Sequence, residues 1–368
     1  MKFNCSTSLL SDACSAASRV IAVRSPLPAV QGILIRTEGD SDLAVTGYDL
    51  EIGLATSCKA DIIEPGAIIV PRVICDILKW MSNDLVSIES GPDNKIVVSG
   101  GNSRYDLMGI DASSYPDVPF ITSDSPVTVN QKVLRDMIRQ TVFAVSTDES
   151  QKVHRGVKFT VADNCLTMAA LDGYRLAVRR ENIEYTGEAL SFVVPGKTLN
   201  EVSKLLTEDD KTVRLELSGK QIVFDTGDYT VVSRLLDGNF INYEATVPGE
   251  SSTQVKVSTG ELLDGLGGMM FMYNEKSKSP LKCSIGGGEI RMFISTATGS
   301  TNVKLNADTD GSDLEIAFNT RYLFESVRAA ETEQIKLYLN GSYSPCVIKP
   351  VDGDSFLYMV LPVRLNNI

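Results

Sequence analysis

Apolar and polar positions along the chain fall into three long blocks that share one order: an alternating strand, an amphipathic helix, several strands, a turn into a second helix, then more strands. The second helices open at IIVPRVICDILKWM from Ile68, FVVPGKTLNEVSKLL from Phe192 and IAFNTRYLFESVRAA from Ile316, successive starts being 124 residues apart. The blocks themselves open on KFNCSTSLLSDACSAA from Lys2, TVNQKVLRDMIRQTV from Thr128 and VKVSTGELLDGLGGMM from Val255. Each is a short alternating strand running into a capped helix. Strands such as VKFTV, CLTMAAL, VRLELSG and KQIVFDTG alternate strictly and are joined by turns rich in Gly and Asp or Asn, which predicts antiparallel pairing. The pattern therefore predicts an α+β protein of three similar domains, each with two helices and about eight strands. The domains are expected at 1–122, 127–246 and 253–368, with linker chemistry at Pro126 and at Pro248-Gly249-Glu250-Ser251-Ser252. In the third, Gly260, Gly265, Gly267 and Gly268 weaken the first helix by about 1 kcal/mol each against alanine, so it is expected to be short or irregular.

Charge adds a second signal. The 368 residues carry 35 Lys and Arg against 47 Asp and Glu, a net charge of −12, so the surface as a whole repels nucleic acid and anionic membrane. The six candidate helical segments (6–24, 72–81, 130–142, 197–206, 259–270 and 321–330) run the other way and together carry +4, which leaves −16 elsewhere. On 130–142, Val133, Leu134, Met137, Ile138, Thr141 and Val142 form an apolar stripe and Lys132, Arg135 and Arg139 fall opposite it. Val73, Ile74, Ile77, Leu78 and Met81 oppose Arg72 and Lys79 in the same way, and Leu199, Val202, Leu205 and Leu206 oppose Lys197 and Lys204. Basic helix faces lining a concavity would attract a phosphate backbone weakly and without reading bases. No basic patch is interleaved with aromatics, so stacking on single strands is not indicated.

Candidate chemistry is sparse. One histidine, His154, removes multi-histidine metal sites and permits a histidine relay at one place only, where no nucleophile elbow or oxyanion signature accompanies it. Pro195-Gly196-Lys197-Thr198 imitates the end of a phosphate-binding loop but has Ser191 where the pattern needs glycine. Asp148, Glu149 and Asp209-Asp210 sit in polar stretches where carboxylates stay ordinary. No catalytic set, metal or cofactor is expected. Seven scattered cysteines without a C-x-x-C pair read as reduced thiols, and no run forms a secretory or membrane-spanning segment, which together predict a cytoplasmic protein.

The chain as a whole resembles the bacterial sliding clamp family, the beta subunit of DNA polymerase III. The landmarks are the start MKF, Arg24 before Leu27-Pro28, TGYDLEIG at Thr46 to Gly53, EPGAIIVP at Glu64 to Pro71, LDGYRLAV at Leu171 to Val178, NEK at Asn274 to Lys276 and LPVRL at Leu361 to Leu365. The resemblance implies a non-enzymatic head-to-tail homodimer, a ring of six similar domains that encircles duplex DNA. It implies phosphate contact by Arg24, Arg72 and Lys197, to which the helix reading adds Arg135 and Arg139. It implies a subunit joint between Tyr105 and Leu107 on one side and Phe271 and Met272 on the other. It also implies a groove for short linear motifs of the polymerase, clamp loader and repair proteins, built from Leu171, Gly173, Tyr174, Arg175, Leu176, Tyr322, Pro345, Met359, Leu361, Pro362, Val363 and Arg364, with Arg175 and Arg364 at its rim. Leu171, Tyr174 and Ala245 depart from residues common in the family, as does the tail Asn366-Asn367-Ile368.

Overall fold

The structure, a computed structural model, describes residues 1–122, 125–274 and 279–364. The first repeat runs β1 (Lys2–Ser6), α1 (Thr7–Ala17), β2 (Gly32–Glu38), β3 (Asp42–Tyr48), β4 (Ile52–Glu64), β5 (Ala67–Pro71), α2 (Ile74–Trp80), β6 (Leu85–Ser90), β7 (Lys95–Gly100) and β8 (Ser103–Met108), with a two-residue β9 (Ile110–Asp111) appended. The second runs β10 (Val127–Asn130), α3 (Gln131–Arg139), β11 (Gly156–Ala162), β12 (Cys165–Leu171), β13 (Arg175–Asn182), β14 (Leu190–Pro195), α4 (Gly196–Ser203), β15 (Thr212–Ser218), β16 (Gln221–Asp225) and β17 (Tyr229–Arg234). The third runs β18 (Thr253–Ser258), α5 (Thr259–Met270), β19 (Leu281–Gly286), β20 (Glu289–Thr296), β21 (Gly299–Asn306), the extra β22 (Asp308–Gly311), β23 (Leu314–Phe318), α6 (Thr320–Arg328), β24 (Gln334–Leu339), β25 (Cys346–Pro350) and β26 (Phe356–Val360).

Leaving β9 and β22 aside, every repeat has eight strands and two helices, in the same antiparallel pairing. The fifth, second, third and fourth strands form one sheet (β5-β2-β3-β4, β14-β11-β12-β13, β23-β19-β20-β21). The first, sixth, seventh and eighth form the other (β1-β6-β7-β8, β10-β15-β16-β17, β18-β24-β25-β26). Alternation is sharp where one face is wet, as on β20, where Ile290, Met292 and Ile294 are buried between exposed or half-buried neighbours.

Repeats join through strands. The eighth strand of the second repeat, β17, pairs antiparallel with the fourth of the first, β4, and β26 pairs likewise with β13. These joints explain why compactness divides the chain differently from repetition. One compact unit is Met1–Lys132 with Glu201–Leu235, and the other is Val133–Asn200 with Leu236–Ile368.

Except for α5, the helices are shorter than their sequence pattern. α1 ends at Ala17, so Arg19 and Arg24 lie beyond it; Arg72 precedes α2 and Lys204 follows α4. As folded, α1 to α6 carry −1, 0, +2, 0, −2 and +1, and the helical excess of +4 disappears. Basic residues thus sit at helix ends, where they meet the partial negative charge of the C-terminus or flank the N-terminus, more than along helix faces. Val73 is also exposed, not part of the inward stripe.

α5 corrects the expectation for a glycine-rich helix, since it is a complete twelve-residue helix. Ser258 caps it by accepting from the Glu261 N–H. At Gly265 a methyl group would stand 2.8 Å from Met292 Cε and 3.1 Å from Val303 Cγ1, so this glycine lets the helix lie close on its sheet.

Candidate functional site

The LDGYRLAV segment builds a tight turn between β12 and β13 in the second compact unit. Asp172 Oδ1 accepts from the backbone N–H groups of Tyr174 at 2.9 Å and Arg175 at 3.0 Å. Gly173 sits at φ +88°, a left-handed conformation that needs no side chain. The turn aims Arg175 inward and Tyr174 outward.

Arg175 is 7% exposed, which corrects its expected place at a groove rim. Its Nε donates to Asp172 Oδ2 at 3.0 Å, and its terminal nitrogens donate to the Glu325 carboxylate and the Phe143 carbonyl. The guanidinium also lies 4.6 Å from the Tyr322 ring centroid and 5.2 Å from that of Phe143. A planar cation is suited to such a place because it can fork to carboxylates and stack on rings together. Burial alone would raise the Glu325 carboxyl, but hydrogen bonds from Arg175 and Arg321 outweigh it and hold the group below the usual carboxylate range. Burial raises the Tyr322 hydroxyl, so the ring meets any ligand as a neutral phenol.

Above this buried knot lies an apolar surface. Tyr174, 61% exposed, stacks on Tyr322 with centroids 6.0 Å apart and planes 26° apart. The chain end passes alongside: the Leu361 N–H donates to the Tyr174 carbonyl at 2.9 Å, Pro362 bridges Phe318, and the Val363 N–H donates to the Ala317 carbonyl at 2.7 Å. Leu361 and Pro362 are half-buried, while Val363 and Arg364 are exposed. Leu171, Leu176 and Met359 form a floor with Val178, Tyr243, Val347 and Leu357, edged by Phe240, Val247 and Tyr338. Val347 also lines an adjoining cavity of about 350 Å³ that Pro345 shares with Pro248, Gln254 and Asn340. Tyr243, Val347, Asp172, Glu325 and Phe143 were not among the expected site residues. The Asp-Gly turn and the four-residue spacing from Arg321 to Glu325 were the available signals. Leu365 to Ile368 and Lys276 lie outside the described residues.

Each compact unit also has an open sheet edge. β8 pairs only β7, and β21 pairs only β20, among the described residues. Tyr105 and Leu107 are half-buried on β8. At the end of α5, Phe271 is 90% exposed; a methyl group at Gly299, where β21 starts, would lie 3.9 Å from Met272 Cε.

The basic candidates are dispersed over exposed positions. Arg24 and Arg72 are exposed in the first compact unit, and Lys197 is exposed in the second. Arg135 is half-buried. Arg139 is engaged by Asp136 at 3.0 Å and Glu331 at 2.7 Å, so it reaches a phosphate only by giving up those carboxylates.

Three strand-joined repeats with an apolar surface at one joint and free edges at both ends define a clamp fold, and the comparisons agree. Family models of the DNA polymerase III beta subunit match in order: the N-terminal domain at 1–119, the central domain at 128–242 and the C-terminal domain at 244–364. The beta sliding clamp of Staphylococcus epidermidis is 28% identical over 357 residues, 94% of each chain. Among solved structures, a DNA polymerase sliding clamp from Bacillus subtilis aligns with a TM-score of 0.95 at 27% identity over 100% of both chains. A sliding clamp from Pseudomonas aeruginosa, solved bound to griselimycin, aligns at 0.92 and 28% over 99% of this chain and 100% of that one. The chain belongs to the bacterial DNA polymerase III beta subunit family, the beta sliding clamps. Among the described residues no helix is long and apolar enough to cross a membrane.

Proposed function

We propose that the chain is a DNA sliding clamp, a non-catalytic processivity factor that encircles duplex DNA as a head-to-tail homodimer and tethers the replicative polymerase. Its domains are bounded near 1–122, 127–246 and 253–368, and its place is the cytoplasm. The observation that carries this reading is the matching of strand ends across the repeats.

Rows of facing residues can be followed through each sheet. With the β2–β3 register, in which Leu34 faces Thr46, extended by one residue, the row that starts at Val70 passes Ile33 and Gly47 to Leu54. Extended in the same way across β11–β12 and β19–β20, those from Val194 and Phe318, again 124 residues apart, end at Ala177 on β13 and Thr301 on β21. In the second sheets, rows start at Phe3, Val127 and Val255, each four residues before its helix. They end at Tyr105, Val231 and Tyr358. Leu54 faces Val231 and Ala177 faces Tyr358. Thr301 and Tyr105 are the row ends left over, and a second copy supplies each with its counterpart. Contacts of that kind are heterologous, and they close when the rotation they impose divides a full turn. Strand addition satisfies the free edge groups.

The side chains fit the same rule. Phe143 and Phe271 both stand twelve residues after the start of their helix. Phe143 meets Tyr358 edge to face, centroids 5.8 Å apart. Phe271 then meets Tyr105 across the joint, and Met272 lies beside Leu107, which the same register sets opposite Gly299.

Retention by topology allows the electrostatic grip to stay weak, so an acidic chain with scattered exposed cations, Arg24, Arg72 and Lys197 first, slides along DNA without being repelled from it. The Tyr174–Tyr322 surface with its apolar floor suits an extended peptide with aliphatic or aromatic anchors. Register is directly testable. Arg104→Cys combined with Asn302→Cys places one thiol opposite the other, and mild oxidation is expected to give a covalent dimer in denaturing gels. Cross-linking with Lys304→Cys in place of Asn302→Cys, and none with Asn302→Cys, would contradict the assigned register.

A further inference from the structure

Trp80 is the chain's single tryptophan, and it stands 85% exposed at the C-terminal end of α2. Tryptophan is highly buried on average in folded proteins, and the equivalent positions of the other repeats show whether its exposure here is particular to this repeat.

The other repeats show what belongs at its position. Each second helix ends on or runs into an acidic residue, two further residues, a basic residue and two final positions: Asp76-Ile77-Leu78-Lys79-Trp80-Met81, Glu201-Val202-Ser203-Lys204-Leu205-Leu206 and Glu325-Ser326-Val327-Arg328-Ala329-Ala330. The last position is buried in all three, at Met81, Leu206 and Ala330. The one before it is buried at Leu205 and Ala329, 8% and 7% exposed, and open only at Trp80. The two repeats that cover it are those whose eighth strand has a neighbour, β17 on β4 and β26 on β13. The repeat that leaves it open is the one whose eighth strand, β8, has no second partner among the described residues.

Trp80 also belongs to that edge by position. Met81, next in the chain, has its Cε 2.5 Å from where a methyl group on Gly100 would stand, and Gly100 faces Ser103, the first residue of β8. In the third repeat, the Tyr358 hydroxyl donates to the Ala329 carbonyl at 2.9 Å while its ring meets Phe143. Carried to the first repeat, that arrangement sets Trp80, Tyr105 and an incoming Phe271 together.

We propose that Trp80 is part of the subunit joint, covered in the dimer by the α5 end of a second copy, so that an aromatic cluster of Trp80, Tyr105 and Phe271 of the partner subunit anchors each closure. The inference rests on the head-to-tail reading and adds to it a residue that neither strand pairing nor the family landmarks single out. Aromatic anchors at the centre of an interface carry a disproportionate share of its energy.

Because the chain has no other tryptophan, emission excited at the red edge of the absorption band, where its tyrosines do not absorb, reports this site alone. Emission and acrylamide quenching of the full chain would be followed beside sedimentation, with Phe271→Asp as the monomeric reference. The dimer is expected to emit at shorter wavelength than the monomeric variant and to be quenched several-fold less. Trp80→Ala is expected to raise the dimer dissociation constant by at least about tenfold. A sedimenting dimer whose tryptophan is quenched as readily as in the monomeric variant overturns the inference and leaves the head-to-tail reading standing. A chain that sediments as a monomer at every concentration overturns both.

Discussion

Arg175→Met is expected to destabilise the compact unit that holds it by about 3–5 kcal/mol, the range for removing one partner from a buried ionic cluster. The substitution keeps the volume of the stem but removes the shared partner of two carboxylates, Asp172 and Glu325, whose side chains are only 12% and 15% exposed and of which Glu325 keeps Arg321 at 3.0 Å. It also withdraws the donor to the Phe143 carbonyl and the cation between the Phe143 and Tyr322 rings. Chemical denaturation followed by far-UV circular dichroism measures the loss. Adding Glu325→Gln to Arg175→Met is expected to recover part of it, since one of the two carboxylate charges is then removed; a double variant less stable than the single one would contradict the assignment. Arg175→Lys is expected to recover little, because an ammonium cannot fork to both carboxylates and stack as well.

The same cluster sets a dependence on pH. The Glu325 carboxyl is held below its ordinary value in the folded chain, so its contribution to stability is present above the ordinary glutamate range and is lost as pH falls through the folded value. With Arg175 removed by Arg175→Met, Arg321 alone is left to offset burial at Glu325, and the acid-side loss of stability should shrink.

The second large effect is at the joint. Phe271→Asp is expected to weaken the dimer by about 4 kcal/mol or more, roughly a thousandfold in dissociation constant, because a hot-spot aromatic is lost and a carboxylate is desolvated in its place. The fold of the single chain should be untouched, since Phe271 is 90% exposed within it. Sedimentation and a thermal melt separate the two outcomes: a monomer with the native melting profile agrees, and a dimer of undiminished affinity does not.

Much of this architecture was legible in the sequence for a simple reason. Strand starts, helix starts and turns are set by local periodicity and by Pro and Gly, so the spacing of Ile68, Phe192 and Ile316 survived even where side chains diverged. Properties that depend on tertiary contact were not legible. The basic excess of the helices disappears because Arg19, Arg24, Arg72 and Lys204 fall outside helices whose ends the apolar stripe does not mark, while on α3 Arg139 is claimed by Glu331 from a distant segment. The resemblance sets Arg175 at a groove rim; its burial needs Glu325, 150 residues away. α5 defied its glycines because close packing on Met292 and Val303 outweighs helix propensity there. The strand rows emerged only from the pairing, and they turn a general likeness into a specific register for the joint.

Encirclement is tested most directly on DNA itself. Loaded by a clamp loader onto a nicked circle, the protein is expected to stay bound when salt is raised enough to abolish phosphate contacts, and to be lost within minutes once the circle is cut at a distant site. Rapid loss from the intact circle at that salt, or equal retention on circle and linear product, would contradict the account.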